Sequence, residues 1–336
     1  MSKTGVLLVN LGTPDSPQPK DVYKYLIQFL TDGRVIDIPA FQRNLLVRGI
    51  IVPFRYKKSA KSYAEIWEEQ GSPLLFHSVS FTSNLRQALG EAYHIVLAMR
   101  YQNPSIQVGL AELKKANVSK IIVVPLFPQY ASATTGSVHQ EVMDVVKNWE
   151  VIPGMVFINS YYDHPAFIDA FTEIGRGYNP EANDHVLFSF HGLPERQIMK
   201  ADRHNHCLKG DCCAKVGDIN QFCYRAQCFA TARAIAAQLN IPEEKYTVCF
   251  QSRLGKTPWI RPYSNEVIEE LAMNGAKRVL AFSPAFVADC LETIFEIGVE
   301  YDQEFRALGG ENLQLVESLN DHPKWVEAMK EIIERS

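Results

Sequence analysis

The chain of 336 residues has no apolar run near the roughly 18 uninterrupted residues that a membrane-spanning helix needs. It has no P-loop, and no G-x-G-x-x-G follows its first apolar run. Asn10-Leu11-Gly12-Thr13 is too poor in glycine to cradle a pyrophosphate, so no nucleotide cofactor is expected. Paired C-x-x-C spacing of the zinc-ribbon kind is absent, and no cysteine follows Cys290. Positive charge is not in excess: 34 basic against 38 acidic residues give a formal net charge of -4, which removes the global basicity of a nucleic-acid binder. The first ten residues hold an apolar run of only five, Gly5 to Val9. That is too short for the core of a secretory signal, and the expectation is a chain that stays in the reducing cytoplasm.

What is present is a globular composition, 46% hydrophobic and 21% charged, at a length that suggests roughly two domains. Eight short apolar runs punctuate it: Gly5–Asn10, His94–Met99, Lys120–Leu126, Met155–Asn159, His185–Phe190, Tyr246–Phe250, Arg278–Phe282 and Leu313–Val316. Most are rich in Val, Ile, Leu and Phe without alternation, the pattern of strands covered by helices on both faces. Amphipathic segments lie between them, among them Asp21–Leu30, Ser80–Leu89, Thr134–Trp149, Pro165–Gly175, Tyr224–Leu239, Asn265–Met273 and Thr293–Leu308, with a final helix near Pro323–Glu334. The expected fold class is α/β: two Rossmann-like, doubly wound domains, each with a four-stranded parallel sheet. The expected domains are residues 1–160 and 161–336, the second including the final helix. An echo supports duplication, since the third run of each half is followed by Pro, one residue and an aromatic: Pro128-Gln129-Tyr130 and Pro284-Ala285-Phe286. Ligands of such sheets bind beyond the carboxyl ends of the strands.

Four constellations carry chemistry. His191 ends a buried run in Phe188-Ser189-Phe190-His191-Gly192-Leu193-Pro194, where an imidazole can accept a proton or bind a metal and Gly192 lets the chain turn. Asp289 and Glu292, continued by Glu296 and Glu300, form an acidic row that shares one helical face and either relays protons or cations or serves as a helix cap. Cys207, Cys212, Cys213, Cys223 and Cys228 lie within 22 residues. They are enough for the four thiolates of an iron–sulfur cluster, with zinc, a mixed site including His204 or His206, and free thiols as the other readings. Arg100 follows an apolar run and either pairs with a ligand carboxylate or makes an ion pair within the protein. Separately, residues 40–62 mix Phe41, Leu45, Ile50 and Phe54 with Arg48, Arg55, Lys57, Lys58 and Lys61. Such a segment is either a membrane-interface element or a core helix with a basic end.

The order of several motifs resembles the ferrochelatase family nearly end to end. The carrying segments are Leu7 to Pro14, Tyr63 to Leu74, Arg100-Tyr101, Pro128-Gln129-Tyr130 with Thr134-Thr135-Gly136, Phe188 to Pro194, Phe250-Gln251-Ser252-Arg253, Pro258-Trp259 and Pro284 to Thr293. The resemblance implies a chelatase-like fold with a cleft between its domains, and insertion of ferrous iron into protoporphyrin IX to form protohaem. It implies His191 as proton acceptor or metal ligand, Glu292 facing it across a distorted macrocycle, and Asp289 in support. It implies pocket or propionate contacts from Tyr63, Ser72, Arg100 and Tyr101, and aromatic walls from Tyr130 and Phe286. Cys290 stands where several relatives have a histidine. The internal cysteines, about 204–228, resemble those of bacterial relatives with a 2Fe–2S cluster on four of the five thiols, and residues 40–62 coincide with the family's hydrophobic lip, implying peripheral membrane contact. Coproporphyrin as substrate, another tetrapyrrole chelatase, and a haem-binding redox sensor or carrier are the alternatives.

Overall fold

The structure, a computed structural model, describes residues 3–255 and 257–336. The chain forms two compact units. The first takes the residues up to Phe127 together with Ala131–Asn159 and Val326–Ser336, and the second takes Pro128–Tyr130 and Ser160–Trp325. The main crossing therefore falls at Asn159/Ser160, but two pieces depart from the expected 1–160 and 161–336. Residues 326–336 of the final helix group with the first unit, and Pro128–Tyr130 group with the second.

The first unit holds strands β1 (Thr4–Asn10), β2 (Tyr93–Met99), β3 (Lys120–Pro125) and β4 (Gly154–Phe157) in the order β2-β1-β3-β4, all parallel. The second holds β5 (His185–His191), β6 (Tyr246–Gln251), β7 (Arg278–Phe282) and β8 (Asn312–Leu315) in the order β6-β5-β7-β8, again all parallel. The two sheets thus share one strand order, as duplication requires. Val6–Asn10 is buried without a break, because helices cover both faces and leave no solvent side to alternate toward. One cover of the first sheet joins Leu7 and Val9 to Leu110 and Leu113 of the helix Ile106–Lys115 and to Val138 and Val142. In the second, Leu187, Val279 and Ala281 pack with Ile268, Ile297 and Phe305, and Cys249 is core.

Parallel pairing puts all strand ends of one sheet on one edge. In the first unit that edge carries Asn10 opposite Met99, with Arg100 and Tyr101 next in the chain. In the second it carries His191 opposite Gln251.

The helices differ from the sequence expectation in informative ways. The helix expected from Ser80 starts at Pro73, where proline's fixed φ suits the first turn and its missing N–H is not needed. Residues 40–66 form one helical run, Ala40–Leu46 and Val52–Ile66, joined by a π-turn at Val47–Ile51. Of the acidic row, Glu292, Glu296 and Glu300 lie on a π-helix, Leu291–Tyr301, followed by a short α-helix, Asp302–Ala307, whereas Asp289 precedes the helix and does not share its face. Among the described residues, no helix is long and apolar enough to cross a membrane.

Candidate active site

His191 is the last residue of β5, half-buried, with its ring centroid 6.4 Å from that of Trp259. Its Nδ1 lies 2.7 Å from the carbonyl oxygen of Gly192. A carbonyl only accepts, so Nδ1 carries the proton and Nε2 keeps the lone pair in the neutral ring. Gly192 is required for a different reason from the expected sharp turn. A Cβ there would meet the Gln251 carbonyl oxygen at 2.8 Å and the Trp259 ring at 3.0 Å. The chain then pairs back, Ile260 N–H to Leu193 O and Glu195 N–H to Pro258 O, which seats Trp259 beside the histidine. The Trp259 indole nitrogen is buried, with no hydrogen-bond partner among the described residues.

Glu292 and Asp289 come from the segment after β7. Cys290 caps the π-helix: its amide donates to Thr293 Oγ1 at 2.9 Å, and its sulfur receives the Thr293 amide. Burial pushes the Cys290 thiol up, helped by the neighbouring Glu292 carboxylate. Asp289 is buried and its oxygens accept from Thr293 Oγ1 and Asn320 Nδ2, each at 2.9 Å, and from the Ser318 amide. It therefore holds the start of the π-helix in place, and Glu292 emerges half-buried three residues later.

Gln251 links this helix to the histidine strand. It is 1% exposed and sits opposite His191 in the sheet. Its side chain accepts from Ser189 Oγ and donates to the Glu292 carbonyl (2.8 Å) and to Glu296 Oε2 (3.1 Å). Glu296 also accepts from the Ser252 amide, the Ser252 hydroxyl and Tyr301 OH. Four donors on one carboxylate make Glu296 an anchor, where the sequence offered a relay or a helix cap for the acidic row. Gln251 was not singled out as a site residue, although its place at the edge of β6 is a signal that could have found it.

In the first unit, Arg100 and Tyr101 were expected to line a pocket or hold propionates. As placed, Tyr101 is fully buried and donates to Asp32 Oδ2 at 2.9 Å. Arg100 pairs with Asp32 (2.8 Å) and Glu141 (3.4 Å) and donates to Ser137. Burial opposes charge on Asp32, but hydrogen bonds from Ser137, the Arg34 amide and Tyr101, with the Arg100 charge, hold its carboxyl below the usual range. Arg100 thus binds the protein's own carboxylates. Ser72 is buried and accepts from Thr13 Oγ1 at 2.8 Å, while Tyr63 is buried edge-on to Tyr25 and Trp67. In the second unit, Tyr130 and Phe286 are half-buried.

All five clustered cysteines are buried, and none is in a disulfide. Cys212 and Cys213 sulfurs are 3.7 Å apart, Cys223 makes side-chain contacts with both Cys207 and Cys213, and Arg225 Nη1 donates to Cys213 Sγ at 3.1 Å. Burial pushes the Cys207 and Cys228 thiols up; for Cys213 the contact with Cys223 comes first and burial second. Among the described residues, no group of three or more His, Cys, Asp or Glu is arranged to hold a single metal ion. The segment 40–62 has two sides: Val47, Val52 and Ala60 are buried, whereas Phe41, Leu45, Ile50 and Phe54 are 81%, 65%, 56% and 85% exposed.

Comparison with known proteins bears on the family and the fold. The family model described as Ferrochelatase matches residues 3–336. A ferrochelatase of Legionella pneumophila (strain Lens) is 46% identical over 331 residues, covering 98% of each chain. One from Coxiella burnetii (strain Dugway 5J108-111) is 43% identical over 337 residues, covering 100% of this chain and 94% of that one. Among solved structures, SirB from Bacillus subtilis with Fe3+ aligns over 99% of this chain and 95% of its own, with a TM-score of 0.54 at 14% identity. The sirohydrochlorin chelatase SirB in complex with cobalt gives a TM-score of 0.56 at 12% identity, covering 99% and 94%. These two share the fold, and the full-length sequence likeness fixes the family: this chain belongs to the ferrochelatase family of metal chelatases.

Proposed function

We propose that this protein inserts ferrous iron into protoporphyrin IX, the closing step of haem synthesis. The observation that supports this most directly is His191, whose protonated Nδ1 is tied to Gly192 O while Nε2 is left basic at a strand edge. The reaction releases two protons as the pyrrole nitrogens exchange N–H for Fe–N bonds. In a planar ring those lone pairs point inward, and distortion exposes them, using binding energy from the rest of the disc. His191 Nε2 takes a proton from the ring or holds the incoming iron, and Glu292 faces it across the distorted porphyrin as a hard oxygen ligand that releases ferrous iron readily. Asp289, Gln251 and Glu296 hold the helix that carries Glu292. Tyr130 and Phe286 form aromatic walls. Tyr63, Ser72, Arg100 and Tyr101 complete the expected set of porphyrin contacts.

The cysteine segment suits a 2Fe–2S cluster on four of Cys207, Cys212, Cys213, Cys223 and Cys228. Five buried soft donors lie together, and the Arg225 guanidinium on Cys213 would offset thiolate charge. Such a cluster needs two thiolates at each iron, so it does not require three ligands converging on one ion. Bound there, it supplies a one-electron centre and ties the segment together. The apolar, basic face of residues 40–62 suits contact with a membrane surface, from which an apolar porphyrin arrives.

The test is an anaerobic assay of the purified protein, with the visible spectrum recorded before substrate. Wild type should metalate protoporphyrin, while His191→Ala and Glu292→Gln should lose about a hundredfold or more in turnover and keep porphyrin affinity by fluorescence titration. Preference for coproporphyrin would move the substrate assignment, and no metalation of either would end the reading. A colourless, fully active protein would remove the cluster.

A further inference from the structure

The helix Tyr224–Gln238 starts at its cap residue, Cys223, and its first turn points to two places at once. Toward the cysteines, Arg225 donates to Cys213 Sγ at 3.1 Å, and the Tyr224 hydroxyl neighbours the Cys228 thiol one turn along the helix. Toward the candidate active site, the same Tyr224 hydroxyl donates to the His191 carbonyl at 2.9 Å. Gln227 Oε1 accepts the Tyr130 amide at 2.7 Å, while its Nε2 donates to the Gln221 carbonyl inside the cysteine segment. Phe222, between Gln221 and Cys223, stands edge-on to the Tyr130 ring at 5.7 Å. Tyr224, Gln227 and Cys228 are 7%, 0% and 0% exposed. Close-packed buried groups shift together and do not deform independently. Movement of the thiols therefore carries the helix start with it, and with that the Tyr224 and Gln227 hydrogen bonds.

We propose that Tyr224 and Gln227 are positioning residues that couple the state of the cysteine segment to His191 and Tyr130. This rests on the assignment of His191 and Tyr130 to the porphyrin site, but it needs no particular occupant of the thiols. An intact cysteine segment holds the His191 carbonyl and the Tyr130 amide in register for substrate, and a disturbed one releases both. The sequence separation between the cysteines and His191 hides this link, since helix 224–238 returns to the strand end only in the folded unit.

Hydrogen exchange by mass spectrometry on the full chain tests it, together with porphyrin affinity by fluorescence. Cys213→Ser perturbs the segment at a thiol that meets Arg225. Its expected effect is faster exchange at residues 188–193 and 128–131 and about fivefold weaker porphyrin binding, the size of one lost hydrogen bond. In the Tyr224→Phe/Gln227→Ala background both segments should already exchange fast, and Cys213→Ser should add nothing. Should that double variant fail to fold, Tyr224→Phe alone, which removes one oxygen, tests residues 188–193. Unchanged exchange in Cys213→Ser, or effects that add across the two backgrounds, would overturn the coupling. Exchange needs no turnover, so a wild type that exchanges as expected yet metalates no porphyrin would remove the haem reading and leave the coupling standing.

Discussion

A single hydrogen at Gly192 decides how close three pieces of chain can come. With the Gln251 carbonyl 2.8 Å and the Trp259 ring 3.0 Å from where a Cβ would be, Gly192→Ala must push β5 away from β6 or displace Trp259. Either movement shifts the carbonyl that fixes the His191 tautomer. The expected outcome is a fall of about a hundredfold in kcat, because a displaced base loses its contribution as an acid–base group; steady-state kinetics checks it. The sequence marks Gly192 as special but for the wrong cause, since crowding by residues 59 and 67 positions away leaves no local trace. The places of His191, Asp289 and Glu292 in the fold were legible, His191 because it ends a buried apolar run and the two acidic residues because they lie in the segment that leads from β7 into a helix. Cys290 was legible only as an oddity, since its work as a cap is set by the path of the chain around it.

The π-helix shows how far periodicity reaches. Glu292, Glu296 and Glu300 at steps of four suit one face of an α-helix, and they equally suit a helix bonded i→i+5. The buried residues Thr293, Ile297 and Tyr301 follow the same step of four. Helix was therefore readable and its kind was not. The wider turn needs an anchor, and Glu296 supplies it by holding Ser252 in a left-handed conformation (φ 63) that a serine rarely adopts and that costs on the order of 1–3 kcal/mol. Glu296→Gln keeps the shape but puts an amide N–H against donors. It should destabilise the fold by about 2 kcal/mol, the range for a hydrogen bond to a charged group, and lower turnover without changing the porphyrin dissociation constant. Denaturant melts and a binding titration separate the two effects. If Glu296 worked as a proton relay, Gln would cut turnover and leave stability intact. The strands were the best-read elements, because burial on both faces leaves continuous apolar runs whose ends coincide with the sheet edges.

At the scale of the molecule, Phe41, Leu45, Ile50 and Phe54 gather four exposed large apolar side chains on one helical run. Arg55, Lys57, Lys58 and Lys61 are exposed on the same helical run. Phe41→Ser with Phe54→Ser should weaken binding to anionic phospholipid vesicles more than tenfold, as withdrawal of two aromatic side chains from an apolar phase predicts, with the melting temperature unchanged. Equal sedimentation of variant and wild type with vesicles would remove the membrane role. Composition and run count made two similar halves legible, but not the exchange of pieces between them, which depends on how residues distant in sequence pack.

That exchange has a consequence in time. Met329 and Ile333, both almost fully buried, lie in the stretch Val326–Ser336 that completes the first unit. On the ribosome the four strands of the first sheet are finished once β4 emerges, yet this stretch is made only after the whole of the second unit. Domains of most chains can close in the order they are synthesised. In this chain the unit that begins first must wait for the other, so a pause in translating residues 160–325 lengthens the exposure of the first unit's unfinished core.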